Sequence, residues 1–121
     1  MQPASYLYVP GDRPERFSKA LASDADAVIF DLEDAVALPA KAAARDAVVA
    51  HLQQPADRVE QWVRINTGER GIADLDALAD LPGLTGIFVP KATRSALDEL
   101  ATITDVVRCA LIETAAVFQP G

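Results

Sequence analysis

Apolar residues along this chain gather into five short runs, and each run stops on polar or charged residues. Tyr6-Leu7-Tyr8-Val9 precedes Pro10-Gly11-Asp12-Arg13, and Ala27-Val28-Ile29-Phe30 precedes Asp31-Leu32-Glu33-Asp34. Trp62-Val63 precedes Arg64-Ile65-Asn66, Gly86-Ile87-Phe88-Val89 precedes Pro90-Lys91, and Cys109-Ala110-Leu111-Ile112 precedes Glu113-Thr114. A helix-like stretch follows each of the first four. Strand and helix in alternation imply parallel strands joined by right-handed crossovers. Parallel sheets and barrels carry their chemistry at the carboxyl ends of the strands. Here that edge holds carboxylates, an arginine and a lysine.

The spacing predicts strand one over 5–9 and a helix over 14–22, with Asp12 able to cap it and Pro14 suited to the first helical position. Strand two spans 27–31; its unbroken apolar run suits burial on both faces of a parallel sheet. Pro39 starts a helix over 40–52 rich in Ala, Lys and Arg, and 53–60 is a loop carrying Pro55. Strand three spans 61–65. Asn66 to Gly71 is a polar loop with two glycines. A helix over 72–81 follows, with Ile72, Leu75, Leu78, Ala79 and Leu81 at helical spacing, and Pro82-Gly83 ends it. Strand four spans 86–89. Ser95 caps a helix over 96–103, strand five spans 107–112, and 114–118 opens another helix. The fold class is therefore α/β. The rhythm stops at Gly121, just past strand five.

At 121 residues, half of them hydrophobic and 24% charged, the chain suits one globular domain with a modest core. No stretch approaches the roughly 18 consecutive apolar residues of a membrane span. The start Met1-Gln2-Pro3-Ala4-Ser5 lacks the basic and apolar segments of a signal peptide, so a cytoplasmic protein is expected. A net charge of −7 argues against nucleic acid, whose phosphates need a basic face. Several of the few cations, Arg13, Arg16, Lys41, Arg45, Arg64 and Lys91, nevertheless sit beside strand ends. They suit an anionic small molecule, or else a solvated surface. Cys109 is the only cysteine, excludes an intrachain disulfide and reads as a small buried hydrophobe. His51, the only histidine, reads as a solvent-facing helix residue. A dinucleotide fingerprint and a Walker loop are absent, since Gly68 and Gly71 have the wrong spacing.

Three places carry candidate chemistry. Arg64 ends a buried strand, where a guanidinium needs a partner. Its planar fork matches a carboxylate bidentately. Spacing leaves open a substrate carboxylate or an internal pair with Asp31, Glu33 or Asp34. Glu113 closes an apolar strand as a metal ligand, a base or half of a salt bridge; magnesium takes one or two such carboxylates with waters and substrate oxygens. Asp31, Glu33 and Asp34 repel one another unless a cation lies near. At least one of them is expected to support a neighbouring functional group, unless they are ordinary capping and loop residues.

Together, Leu7-Tyr8-Val9-Pro10-Gly11-Asp12-Arg13-Pro14-Glu15-Arg16, Asp31-Leu32-Glu33-Asp34-Ala35-Val36, Lys41 to Arg45, Val63-Arg64-Ile65-Asn66, Val89-Pro90-Lys91-Ala92 and Leu111-Ile112-Glu113-Thr114-Ala115 resemble the citrate lyase beta-subunit-like family of the HpcH/HpaI aldolase group. The resemblance covers essentially the whole chain. It implies that residues 1–121 form the first five β/α units of a (β/α)8 TIM barrel. It also implies a Mg2+ cofactor and reversible carbon–carbon cleavage of a hydroxyacyl-CoA thioester of the citryl, citramalyl or malyl type. The products would be a keto acid or carboxylate and acetyl-CoA. Under it, Arg64 binds the keto-acid carboxylate and Glu113 is a magnesium ligand. Tyr8, Arg13, Arg16, Lys19, Lys41 and Arg45 meet the CoA portion, while Glu33 and Asp34 support the arginine and metal.

The family barrel needs about 200 residues or more, so its later strands and second metal carboxylate lie beyond this chain. The expected partners are the CoA thioester and further copies of the chain, a trimer in the full-length form, or a complementing C-terminal half. An open half-barrel would expose two sheet edges and an apolar sheet face. Two alternatives remain: a non-catalytic remnant or interaction module of the barrel, and an aldolase acting on free hydroxy keto acids.

Overall fold

A computed structural model describes residues 5–89. Within them lie four parallel strands in the order β1-β2-β3-β4: β1 Tyr6–Pro10, β2 Ala27–Asp31, β3 Glu60–Arg64 and β4 Gly86–Phe88. Three helices alternate with them: α1 Phe17–Leu21, α2 Lys41–Leu52 and α3 Gly68–Leu78. Strand five, the helix after Ser95, Lys91, Cys109 and Glu113 fall outside the described residues.

β2 is covered on both faces, and all five of its residues are buried. β1 pairs only with β2 among the described residues, and Leu7 and Tyr8 on it are exposed. The register sets Pro10 beside Asp31 and Asp31 beside Arg64. Alternation across each strand then separates two apolar layers. Val28, Phe30 and Val63 pack with Ala44, Val48, Leu52, Leu75 and Leu78 of α2 and α3. Ala27, Ile29, Trp62 and Phe88 pack on the opposite face with Tyr6. Among the described residues of that second face, Ile29 is 1% and Trp62 2% exposed. Gly86 helps close it: a Cβ there would lie 2.6 Å from Cε3 of Trp62, so only glycine admits the indole.

Local chemistry explains where elements depart from the sequence reading. The helix expected over 14–22 opens as a 3-10 turn, Pro14–Arg16, before α1. Its cap position is Arg13 rather than Asp12, with no side-chain cap hydrogen bond, because the Arg13 amide turns back onto the Pro10 carbonyl at 3.1 Å. A second 3-10 turn, Leu38–Ala40, carries Pro39 into α2. The expected 72–81 helix forms four residues earlier. Gly68 adopts a φ of +65°, which glycine tolerates and which lets α3 begin inside the polar loop. α3 ends at Leu78, before Pro82-Gly83, as Ala79 turns extended (ψ 133°) and Asp80 enters the left-handed region (φ 62°). Its buried side is Gly71, Asp74, Leu75 and Leu78, leaving Ile72 exposed.

His51 is only partly exposed to solvent. Its ring packs against both Phe17 and Phe30, with centroids 5.3 and 5.1 Å away, and its Nε2 lies 2.7 Å from Gln61 Oε1. The Gln61 Nε2 donates to the Gly83 carbonyl, so the amide oxygen faces His51 and the imidazole Nε2–H donates to it. Gln61 lies at the start of β3, the end opposite Arg64, so this histidine braces the fold away from the carboxyl edge.

Candidate functional site at the carboxyl edge

β2 and β3 deliver Asp31 and Arg64 to the same level of the sheet. Arg64 Nε donates to Asp31 Oδ1 at 3.0 Å and its NH2 group to Oδ2 at 2.6 Å, a two-point carboxylate pair. Glu33 and Asp34 stand farther off, 3.8 and 3.9 Å from the guanidinium. The internal pairing left open by the sequence is therefore present, with Asp31 as the principal partner. The pair uses the Nε/NH2 side of the fork, and the NH1 group lies outside it. The Arg64 side chain keeps 23% exposure at this edge. Tyr8 covers it, with the Arg64 Cζ 5.2 Å from the ring centroid.

Asp31 is 2% exposed yet well provided for. Beyond Arg64 it accepts the Glu33 amide at 2.8 Å and the Ala35 amide at 3.2 Å, which folds the chain tightly after β2. Burial would push its carboxyl up. The Arg64 hydrogen bonds, the Glu33 amide, the guanidinium charge and the Ala35 amide together outweigh that and hold it below its ordinary value. Burial raises Glu33, and the Asp34 charge raises it further, against the pull of Arg64. Asp31's hydrogen bond, opposed by burial and helped by its charge, raises Arg64 and keeps it cationic.

A second polar cluster adjoins this pair. The Lys41 ammonium donates to the carbonyls of Leu32 (2.9 Å) and Glu33 (2.7 Å) and to Asn66 Oδ1 (2.6 Å). Asn66 Nδ2 and its backbone amide both donate to Asp74 Oδ2, at 2.8 and 3.0 Å. Asp74, 1% exposed, takes Arg45 NH1 on its other oxygen at 3.4 Å. All three N–H groups of the Lys41 ammonium are thus directed at protein acceptors. Arg45 is likewise engaged by Asp74 but retains 28% exposure. Asn66, Asp74 and the principal role of Asp31 escaped the reading of candidate residues. The only available signal was that Asn66 ends the Val63–Asn66 motif.

The remaining candidates are spread. Arg13 is exposed just after β1. Arg16 and Lys19 are exposed and line a groove along β1 with Leu7, Tyr8 and Val9. Tyr8 thus links that groove to Arg64. Among the described residues no group of three or more His, Cys, Asp or Glu is placed to hold a metal ion. Asp31 is committed to Arg64 and two amides, so these residues do not by themselves fit magnesium. No described helix is long and apolar enough to cross a membrane.

A parallel α/β sheet with an arginine and carboxylates at its carboxyl edge defines the class: an α/β protein whose candidate chemistry lies where such sheets place it. Residues 4–114 match the HpcH/HpaI aldolase/citrate lyase family model, and the chain belongs to that family. It is 47% identical over 113 residues to a citrate lyase subunit beta-like protein of Mycobacterium tuberculosis, covering 91% of this chain and 38% of the relative. It is 40% identical over 117 residues to a (3S)-malyl-CoA thioesterase of Cereibacter sphaeroides, covering 92% and 40%. Among solved structures it resembles CitE of M. tuberculosis in complex with magnesium, acetoacetate and coenzyme A. That match has a TM-score of 0.61 and 41% identity, covering 83% of this chain and 38% of that one. The chain spans about two fifths of the length of these curated relatives.

Proposed function

We propose that this chain supplies the first β/α units of a TIM-barrel, magnesium-dependent lyase that cleaves a carbon–carbon bond in a hydroxyacyl-CoA thioester. The observation that carries the reading is Arg64, held by Asp31 on one side of its fork with NH1 outside the pair. A keto-acid carboxylate is the complementary ligand for that group. The solved relative is a complex with magnesium, acetoacetate and coenzyme A, which supports a keto acid, a metal and CoA as ligands.

In this reading Arg64 binds the carboxylate of the keto-acid half, with Tyr8 stacked on the face of its guanidinium. Cleavage breaks the bond between the hydroxyl-bearing carbon and the thioester's α-carbon. The hydroxyl loses its proton and becomes the keto carbonyl, the bonding pair passes to acetyl-CoA as an enolate, and a proton then quenches it. Magnesium, when bound, supplies Lewis-acid chemistry; its proposed carboxylate here is Glu113. Arg13, Arg16 and Lys19 are the exposed cations proposed for the CoA phosphates, and Arg45, paired with Asp74 and partly exposed, is a further candidate.

The test uses the full polypeptide carrying these residues, with magnesium and a panel of malyl-, citramalyl- and citryl-CoA. Chromatography would follow acetyl-CoA and the partner acid. Turnover of one thioester is expected, and Arg64→Lys should lower kcat/KM about tenfold to a hundredfold through loss of charge-assisted hydrogen bonds. Absence of cleavage with every thioester refutes the reading. Release of free CoA without acetyl-CoA replaces it with thioester hydrolysis, the activity named for the Cereibacter relative.

A further inference from the structure

The sequence offers Lys41 as an anion-binding cation, but its setting assigns it different work. Leu32 and Glu33 directly follow Asp31, and their carbonyls both accept from the Lys41 Nζ. The third acceptor, Asn66 Oδ1, belongs to the residue two places after Arg64. One ammonium therefore joins the chain leaving β2 to the chain leaving β3, immediately beyond the Asp31–Arg64 pair. The Leu32 amide reinforces this by donating to the Arg64 carbonyl at 3.0 Å. Asn66 is itself fixed: Asp74 accepts both its side-chain N–H and its backbone amide, leaving the amide oxygen for Lys41. Asp74 and Asn66 are 1% and 3% exposed, so a broken link here leaves a buried polar group without a partner.

We propose that Lys41 is a positioning residue. It pins the turn after β2 to Asn66, and thereby holds the Asp31 carboxylate, and through it the Arg64 fork, in the orientation that receives substrate. Asn66 and Asp74 form the anchor from which it acts. The functional half of this inference rests on the reading of Arg64 as the keto-acid-binding group. The structural half, control of the Arg64 fork, does not.

The test separates the two halves by using oxaloacetate, a keto acid with no nucleotide, with magnesium and the full polypeptide. Calorimetry measures its affinity, and the Arg64 Nε–H resonance reports whether the guanidinium remains paired. Lys41→Gln is expected to weaken oxaloacetate binding about tenfold to a hundredfold, the scale of small misplacements near a reacting centre. It should also broaden or shift the Arg64 resonance. Asn66→Asp should do the same, because it sets a second carboxylate against Asp74. The double variant Asn66→Asp/Asp74→Asn restores the side-chain donor–acceptor pair at unchanged total charge, though not the acceptor for the backbone amide of residue 66, and should recover both readouts in part. That recovery distinguishes positioning from loss of folding, and its absence in a folded double variant counts against the anchor.

The proposal is overturned if Lys41→Gln binds oxaloacetate as the wild type does while its KM for the CoA thioester rises, the behaviour of a nucleotide anchor. If the wild type binds no oxaloacetate, the lyase reading fails. Positioning is then judged on the Arg64 resonance alone, and an unchanged signal in Lys41→Gln overturns it.

Discussion

Replacing Asp31 by asparagine tests the electrostatic core of the site. Asparagine keeps an oxygen for the Glu33 amide but removes the charge opposite Arg64 and turns N–H groups toward other donors. Removing one partner of a fully buried pair costs about 3–5 kcal/mol. Arg64 is 23% exposed, and Glu33 and Asp34 wait at 3.8 and 3.9 Å to take part of the charge. Those two facts reduce the expected loss to about 2 kcal/mol. The sign with pH follows from the direction of the shift. Asp31 sits below its ordinary 3.8 in the folded protein, so its contribution is fully present above that value and is lost as pH falls through the folded one. Denaturant unfolding of wild type and Asp31→Asn from pH 7 down to pH 3 measures this directly. The gap should hold from pH 7 to about 5 and narrow only in acid. A gap below about 0.5 kcal/mol at pH 7, the size of an ordinary surface substitution, would refute the reasoning. So would a gap that stays constant to pH 3.

Other substitutions read other parts of the structure. Glu33→Gln should raise the melting temperature at pH 7, because burial and Asp34 disfavour the charged form. That gain should fade as pH falls through the raised folded value toward Glu33's ordinary 4.5, where the wild type is itself neutral. Gly86→Ala should destabilise by about 1–3 kcal/mol in denaturant titrations, since the indole of Trp62 has nowhere to move without unpacking Phe88. His51→Ala removes two ring contacts and the Gln61 hydrogen bond and should cost about 2 kcal/mol, yet leave thioester KM unchanged because it lies away from the carboxyl edge.

Much of the fold was legible where burial and chemistry agree. β2 was read to the residue, because a strand covered on both faces is an unbroken apolar run that ends at the first charge, Asp31. Pro14 and Pro39, read as helix starts, lie instead in 3-10 turns that lead into α1 and α2. α3 was misplaced because periodicity counts apolar residues. Its buried side includes Gly71 and Asp74, so the reading slid toward Ile72 and Leu81. The same cause hid the anchor of the site. A buried Asp74 carries no apolar signal, and its hydrogen-bond partner is Asn66, eight positions earlier in the loop before α3. Arg64 and the acidic segment were visible as chemistry. That Asp31 is the partner, rather than Glu33 or Asp34, depended on strand register, which sets it level with Arg64.

The central claim, that Arg64 receives a keto-acid carboxylate while Asp31 still holds it, is tested most directly by a crystal structure of the full polypeptide with oxaloacetate and magnesium. A substrate carboxylate is expected within hydrogen-bonding distance of Arg64 NH1, with the Nε and NH2 groups still on Asp31. Oxaloacetate bound away from Arg64, or bound to it with the Asp31 pair broken, would contradict the account.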